Sequence, residues 1–328
     1  MRMQAEAPQL AFLSGPELLA LFKYPLSSLN AYTMGPRLPS SSLPSCKPHC
    51  PPLRRVVYFN FMQPLTAMFL GCIQGLTEFL PISSSGHLAL LEHYLKVEGG
   101  GLSFGILLHV GSLLALLVYF RSDWQVMAKA VLRPSPYTRL ERRLFICLAL
   151  ASIPGALAGL LLQHYAETVF RQPWRIALLL GGVGLLLILA ERLARHLRPL
   201  TNLRLGDALL IGLSQALAIM PGVSRSGITM ATGLFLGFTR ESAARFSFLL
   251  ATPIIAGAGF YDLLKWFKHP PNDLSWTAGI LGFLAAVVSS YLVIHFLLRY
   301  LRRHTFYPFA AYRLLLAAVI LGLVALNY

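Results

Sequence analysis

The sequence predicts an all-α polytopic membrane protein, an inverted repeat of two halves with about ten helical segments and two re-entrant helix pairs. Three observations predict it. Of 328 residues, 56% are hydrophobic and only 12% charged, against about 25% charged in soluble domains. Apolar runs fall at 64–80, 84–96, 103–120, 144–163, 176–190, 205–220, 228–238, 243–264, 276–298 and 309–327, several of them near the roughly 20 residues that span a bilayer. Finally, the chain repeats itself. A shift of 141 positions lays Gly71 on Gly212, Gln74 on Gln215, Ser83 on Ser224, Ser85 on Ser226 and Gly86 on Gly227.

Residues 1–61 stand apart as a disordered N-terminal extension. They are rich in Pro and Ser (PRLPSSSLPSCKPHCPPLRR), and hold neither a spanning run nor the basic start and apolar core of a signal peptide. Met62, just before the first apolar run, offers an alternative start of translation. Cys46 and Cys50 in CKPHC have metal-ligand chemistry, but an unstructured tail is the simpler reading. Cys72 and Cys147 lie within apolar runs as small buried residues.

The membrane domain is then 62–328, with repeat halves at about 62–200 and 201–328. The runs 84–96 and 228–238 are short for a crossing and follow the two repeated motifs. Interrupted apolar segments at matching places in two halves point to re-entrant elements and a binding site between them. Connections 121–143, 191–204 and 299–303 hold six, four and three Lys or Arg, which places them in the cytoplasm. Connections 164–175 and 265–275 hold two each and fall on the opposite side. The alternation works when each motif-bearing pair enters and leaves on one side, followed by three crossings, so the halves are inverted. The net charge of +15 sits in these connections rather than as a stripe on a soluble surface, which argues against nucleic acid.

The chemistry lies in QGLTEFLPISSSGHL (Gln74–Leu88) and PGVSRSGIT (Pro221–Thr229). Ionisable groups at membrane depth are costly, so their presence argues for function. In the second motif Pro221 and Gly222 break the helix, which turns the amides of 223–226 toward an anion. Arg225 adds a planar fork suited to phosphate oxygens, with Ser224, Ser226 and Thr229 as further donors. A helix break that only packs, with Arg225 snorkelling, is the duller reading. In the first motif Pro81 ends a helix and Ser83, Ser84 and Ser85 start the next. His87 lies three residues from Ser84 and four from Ser83, within reach of either hydroxyl on a helix. A Ser beside a His is the smallest nucleophile–base pair. Glu78, one turn after Gln74, could orient His87, act as base, or hold a divalent cation. A protonated, structural Glu78 is its plain alternative. His109, His164 and His295 read as structural or interfacial. Glu191, with Arg192 and Arg195, reads as a solvated helix end, and Gln215 as a support for the second motif.

QGLTEFLPISSSGH followed some 140 residues later by PGVSRSGIT closely resembles the undecaprenyl-diphosphate phosphatase family of bacteria, also called the bacitracin-resistance family. The resemblance covers about 62–328, including FSFLLATP (246–253) and FYPFAAYR (306–313). It implies a multi-pass protein of the bacterial inner membrane that hydrolyses the C55 lipid diphosphate to its monophosphate at the periplasmic face, recycling the carrier for peptidoglycan synthesis. It also implies dependence on a divalent cation, Mg2+ or Ca2+, for which Glu78 is the candidate ligand. The family's first motif takes Glu or Gln at its first position. This chain has Gln74, so a metal scheme with two carboxylates in that motif does not carry over. On this basis Glu78, Ser84, His87 and Arg225 are the expected catalytic residues, with Gln74, Ser83, Ser85, Ser224, Ser226 and Thr229 binding phosphate. A polyprenyl-phosphate transporter using the same anion site is the alternative, since inverted repeats with broken helices are typical of transporters. Pairing as a homodimer is compatible with the sequence, which leaves the oligomeric state open.

Overall fold

The computed structural model of the chain describes residues 64–95, 101–268 and 276–326. The extension, the alternative start at Met62 and the CKPHC segment lie outside the described residues. Those described form eleven α-helices and no strand. The first half runs α1 (Pro64–Phe79), α2 (Ser84–Leu95), α3 (Gly101–Tyr119), α4 (Arg121–Leu132), α5 (Arg139–Val169) and α6 (Pro173–Leu193). The second runs α7 (Leu205–Ala216), α8 (Arg225–Phe235), α9 (Arg240–Lys268), α10 (Trp276–Tyr300) and α11 (Tyr307–Ala325).

Helices α5, α6, α9, α10 and α11 are long and apolar enough to cross a membrane. The α3–α4 pair, bent by 71°, makes a sixth span if taken together. By contrast α2 and α8 have 12 and 11 residues, a reach of about 18 Å at most, well short of a hydrocarbon core about 30 Å thick. Each follows a break of a few residues after α1 or α7, which makes the two re-entrant pairs. Three spans then separate the first pair from the second, an odd number, so the halves are inverted. The basic connection 121–143, expected as a loop, is largely helical. Its α4 buries Met127 and Ala130 and exposes Arg121 and Lys129.

The two halves interlock by exchange. Helix α1 packs along α10 and α7 along α5, while α6 meets α11 and α3 meets α9. Since α5 and α10 occupy matching places in their halves, each re-entrant helix lies on the other half's long span. Small residues allow this, as is usual between membrane helices. A Cβ on Gly71 would stand 2.2 Å from the carbonyl oxygen of Gly282 on α10. One on Gly212 would stand 2.5 Å from that of Ala151 on α5. These glycines are the pair related by the 141-residue shift.

A polar lock closes the link between the halves. Glu191, at the end of α6, is only 5% exposed. Its Oε1 accepts from Arg240 Nε at 2.6 Å and its Oε2 from the Phe306 amide at 3.3 Å. The solvated helix end expected here is thus a buried ion pair. Arg240, the group that neutralises Glu191, lies 49 residues away, and no local pattern announces it. Nearby, Arg198 grips Asp207 with both terminal nitrogens, at 3.2 and 2.6 Å, and lies over the Phe238 ring at 4.6 Å.

Two outcomes follow for thermal unfolding in detergent. Gly212→Val forces α7 off α5 and costs about 1–3 kcal/mol. Glu191→Gln leaves Arg240 without its counter-ion and costs about 3 kcal/mol. Unchanged unfolding midpoints would contradict the packing described.

Candidate active site

The two motifs build the same local structure twice. Ser83 and Ser224 both have positive φ, 78° and 71°, which for a residue with a Cβ costs about 1–3 kcal/mol. Each serine then caps the helix it starts. Ser83 Oγ accepts the Gly86 amide at 3.3 Å, and Ser224 Oγ accepts the Gly227 amide at 3.1 Å. Their carbonyls receive the amides of His87 and Ile228 at 3.1 and 2.9 Å. Every one of these partners is related by the shift of 141. Gly222, at φ +99°, has no room for a Cβ, which would meet the Ile176 carbonyl oxygen at 2.7 Å. The breaks in the chain are therefore built, strained structures, and they meet. Ser226 Oγ donates to the Leu80 carbonyl of the first break at 3.0 Å.

Between them lies a cavity of about 150 Å3 lined by Glu78, Ser84, Ser85, His109, Ala218, Ser224 and Arg225. Ser84 and Ser85 open α2, and Ser224 and Arg225 begin α8, so two helix N-termini converge here. Both bring the positive end of a helix dipole to the cavity, a setting suited to an anion. Glu78, 8% exposed, is the hub. Its Oε1 accepts from Arg225 Nη2 at 2.5 Å. Its Oε2 accepts from Ser84 Oγ at 2.6 Å and from Gln74 Nε2 at 3.0 Å. His109 Nε2 stands 3.8 Å from the same oxygen. A short Ser hydroxyl bond to a carboxylate is the geometry in which the carboxylate can take the proton.

The other expected residues fall around this hub. Gln74 supports Glu78 from the preceding turn. Ser83 and Ser226 spend their hydroxyls on the breaks. Thr229 is buried, bonded to the Arg225 carbonyl at 2.7 Å and to Ser247 Oγ at 2.7 Å, so it holds α8 to α9 instead of facing the cavity. His87 also points elsewhere. Its Nδ1 lies 2.7 Å from the Ser83 carbonyl, an acceptor, so the proton is on Nδ1. Its Nε2 accepts from the Tyr312 hydroxyl at 2.7 Å, and the two rings stack. The pairing of Ser84 with His87, expected from spacing, is not made; Ser84 pairs with Glu78. The histidine that reaches the cavity is His109 of α3. Its Nδ1 donates to the Gly105 carbonyl at 2.8 Å, which leaves the lone pair on Nε2, on the side of Glu78. The signal available for His109 was its place inside an apolar run, the criterion that singled out Glu78 and His87.

Glu78 and His109 are the metal-ligand side chains of the cavity. Among the described residues no three His, Cys, Asp or Glu gather in one group. The donor set thus suits a divalent cation only when phosphate oxygens complete its shell, as is common for Mg2+.

Fold and site together define an integral membrane protein built as an inverted repeat around an anion cavity, in which a hydroxyl faces a carboxylate. Residues 67–319 match the family described as bacitracin resistance protein BacA, and the chain belongs to that family. A protein of Moorella thermoacetica named undecaprenyl-diphosphatase is 48% identical over 262 residues, covering 80% of this chain and 98% of that protein. Proteins of the same name from Desulforudis audaxviator and Pelotomaculum thermopropionicum are 45% and 44% identical, covering 81% and 79% of this chain and 100% and 96% of their own lengths.

Ser226→Ala, which removes the bond between the two breaks, costs about 1 kcal/mol of stability. The check is thermal unfolding beside Ser85→Ala, an exposed position with no such bond to the other half, which stays within about 0.5 kcal/mol.

Proposed function

We propose that this protein hydrolyses undecaprenyl diphosphate to undecaprenyl phosphate and inorganic phosphate, returning the lipid carrier to peptidoglycan synthesis and conferring bacitracin resistance. The observation that carries the chemistry is the Ser84 hydroxyl held 2.6 Å from a carboxylate that an arginine of the other half fixes in place. The named relatives supply the substrate class. The terminal phosphoryl group enters between the first turns of α2 and α8, where Arg225 and the helix amides stabilise its charge. Ser84 Oγ passes its proton to Glu78 and attacks the terminal phosphorus. The bond from that phosphorus to the bridging oxygen breaks, and the lipid monophosphate leaves. Water then attacks the phosphoserine, giving a proton to His109 Nε2. The bond from phosphorus to Ser84 Oγ breaks, and Glu78 returns its proton to that oxygen. Phosphate departs with the proton held by His109, so that all three residues are restored. His87 acts at one remove, holding the Ser83 carbonyl and Tyr312 so that the first break keeps its shape. Glu78, together with the substrate's own oxygens, would hold a divalent cation, which supplies charge neutralisation for the diphosphate. The polyprenyl tail lies among lipid-facing helices. The basic connections at 121–143, 191–204 and 299–303 support a cytoplasmic location for those ends, and the family supports an active site open to the periplasm of the inner membrane. Pairing of two copies as a homodimer belongs to the same proposal and is read by the mass of the purified protein. No observation favours the transporter alternative.

Phosphate release from undecaprenyl diphosphate by the purified protein tests the reading. Glu78→Gln, Ser84→Ala, His87→Ala and Arg225→Ala each lose about 100-fold or more in turnover while remaining folded. Chelation of divalent ions lowers release in the wild type. Wild-type rates in Ser84→Ala, with Glu78→Gln inactive, would replace the serine by a water nucleophile. A folded wild-type protein without release would refute the assignment.

A further inference from the structure

Arg313, on α11, is fully buried at 0% exposure, and the chemistry described above does not use it. A buried guanidinium is costly unless its charge and donors are satisfied. Here backbone carbonyls do this. Nε donates to Leu180 of α6 at 3.0 Å, Nη1 to Pro81 at 3.0 Å, and Nη2 to Gly222 and Val223 at 2.7 and 3.1 Å. Pro81 belongs to the first break, and Gly222 and Val223 to the second. One side chain thus holds both breaks, and only a planar fork with five donors can reach so many acceptors at once. The dependence is mutual, because carbonyls freed by a helix break at membrane depth need a donor. Space is reserved for the group: a Cβ on Gly227 would stand 3.3 Å from Arg313 Nη1, and one on Gly184 would stand 3.3 Å from Arg313 Cβ.

The held atoms are close in sequence to the reacting ones. Pro81 lies midway between Glu78 and Ser84, and Gly222 and Val223 precede Arg225 by three and two residues. With their carbonyls turned to Arg313, the chain after each break leads into the first turn of α2 or α8, whose Ser84, Ser85 and Arg225 line the cavity. We propose that Arg313 is a positioning residue that fixes the spacing of the two breaks and so registers Ser84 and Glu78 against Arg225. The proposal rests on the phosphatase reading and deepens it. Arg313 touches no substrate; it acts through the two breaks.

The test measures phosphate release from undecaprenyl diphosphate by the full-length protein in detergent, for wild type, Arg313→Lys, Arg225→Lys and the double variant. Lysine keeps the charge but cannot span both breaks. Arg313→Lys is expected to lower kcat about 100-fold, the scale of a misplaced reacting group, with a much smaller change in KM. In the Arg225→Lys background most of that loss disappears, because the registration is already broken, whereas a general folding defect would multiply through both backgrounds. Arg313→Gln, which retains a planar amide donor without the charge, repeats the comparison in case the lysine variant does not assemble. Wild-type turnover in Arg313→Lys, full multiplication of the two losses, or failure of both Arg313 variants to assemble would overturn the positioning role. An inactive wild type would instead overturn the phosphatase reading on which it rests.

Discussion

An ionised carboxylate among apolar helices must be met by a cation, and Glu78 is met by Arg225 from the opposite half of the chain. Much of the site follows from that meeting. The two groups lie 147 residues apart, so neither half can form the cavity alone. The pair also leaves Glu78 with an oxygen for Ser84. Without its arginine Glu78 would be an unpaired buried charge at membrane depth, which is costly.

Bringing two short helices nose to nose has its own demands. Each needs a sharp break at membrane depth, and each break leaves carbonyls and amides that lipid cannot satisfy. The chain answers with one device used twice: a serine in a left-handed conformation that caps the next helix with its own hydroxyl. The carbonyls of Pro81, Gly222 and Val223 turn to Arg313, and the first residues of both helices line the cavity. Helix exchange holds the arrangement, since α1 and α7 each lie on the long span of the other half, brought close by Gly71 and Gly212. Strain at Ser83 and Ser224 is sustained because packing on both sides over-determines the backbone.

Much of this was legible in the sequence. Ionisable residues inside apolar runs locate both motifs, and the 141-residue shift exposes the repeat. The structure extends that shift to φ angles and caps. What stayed hidden depended on direction and on distant partners. Helical spacing puts His87 near Ser84, but the His87 ring bonds the Ser83 carbonyl and the distant Tyr312, while the Ser84 hydroxyl bonds Glu78 on the preceding helix. His109 lay in an apolar run with no neighbouring motif, and reaches the cavity only because α3 packs beside α1. Glu191 looked solvated because Arg240 is far along the chain. Arg313 sat inside a recognised stretch, FYPFAAYR, yet nothing local shows that one guanidinium would serve both breaks.

A repeated scaffold with unequal chemistry explains why the halves diverged where they did. Under the shift, Glu78 and Ser84 correspond to Ile219 and Arg225. Had both halves kept the carboxylate, two negative charges would face each other and the anion would be repelled. Had both kept the arginine, the serine would lack its acceptor. Capping serines, break geometry and packing glycines are the parts that symmetry can serve twice, and those are the parts retained. The reacting groups are the parts that symmetry would spoil. An inverted repeat is suited to this division because it sets two helix N-termini against one cavity while leaving each free to carry a different charge. The positive ends of both helices then meet at the same cavity, and the acid–arginine pair joins the two unlike halves across it.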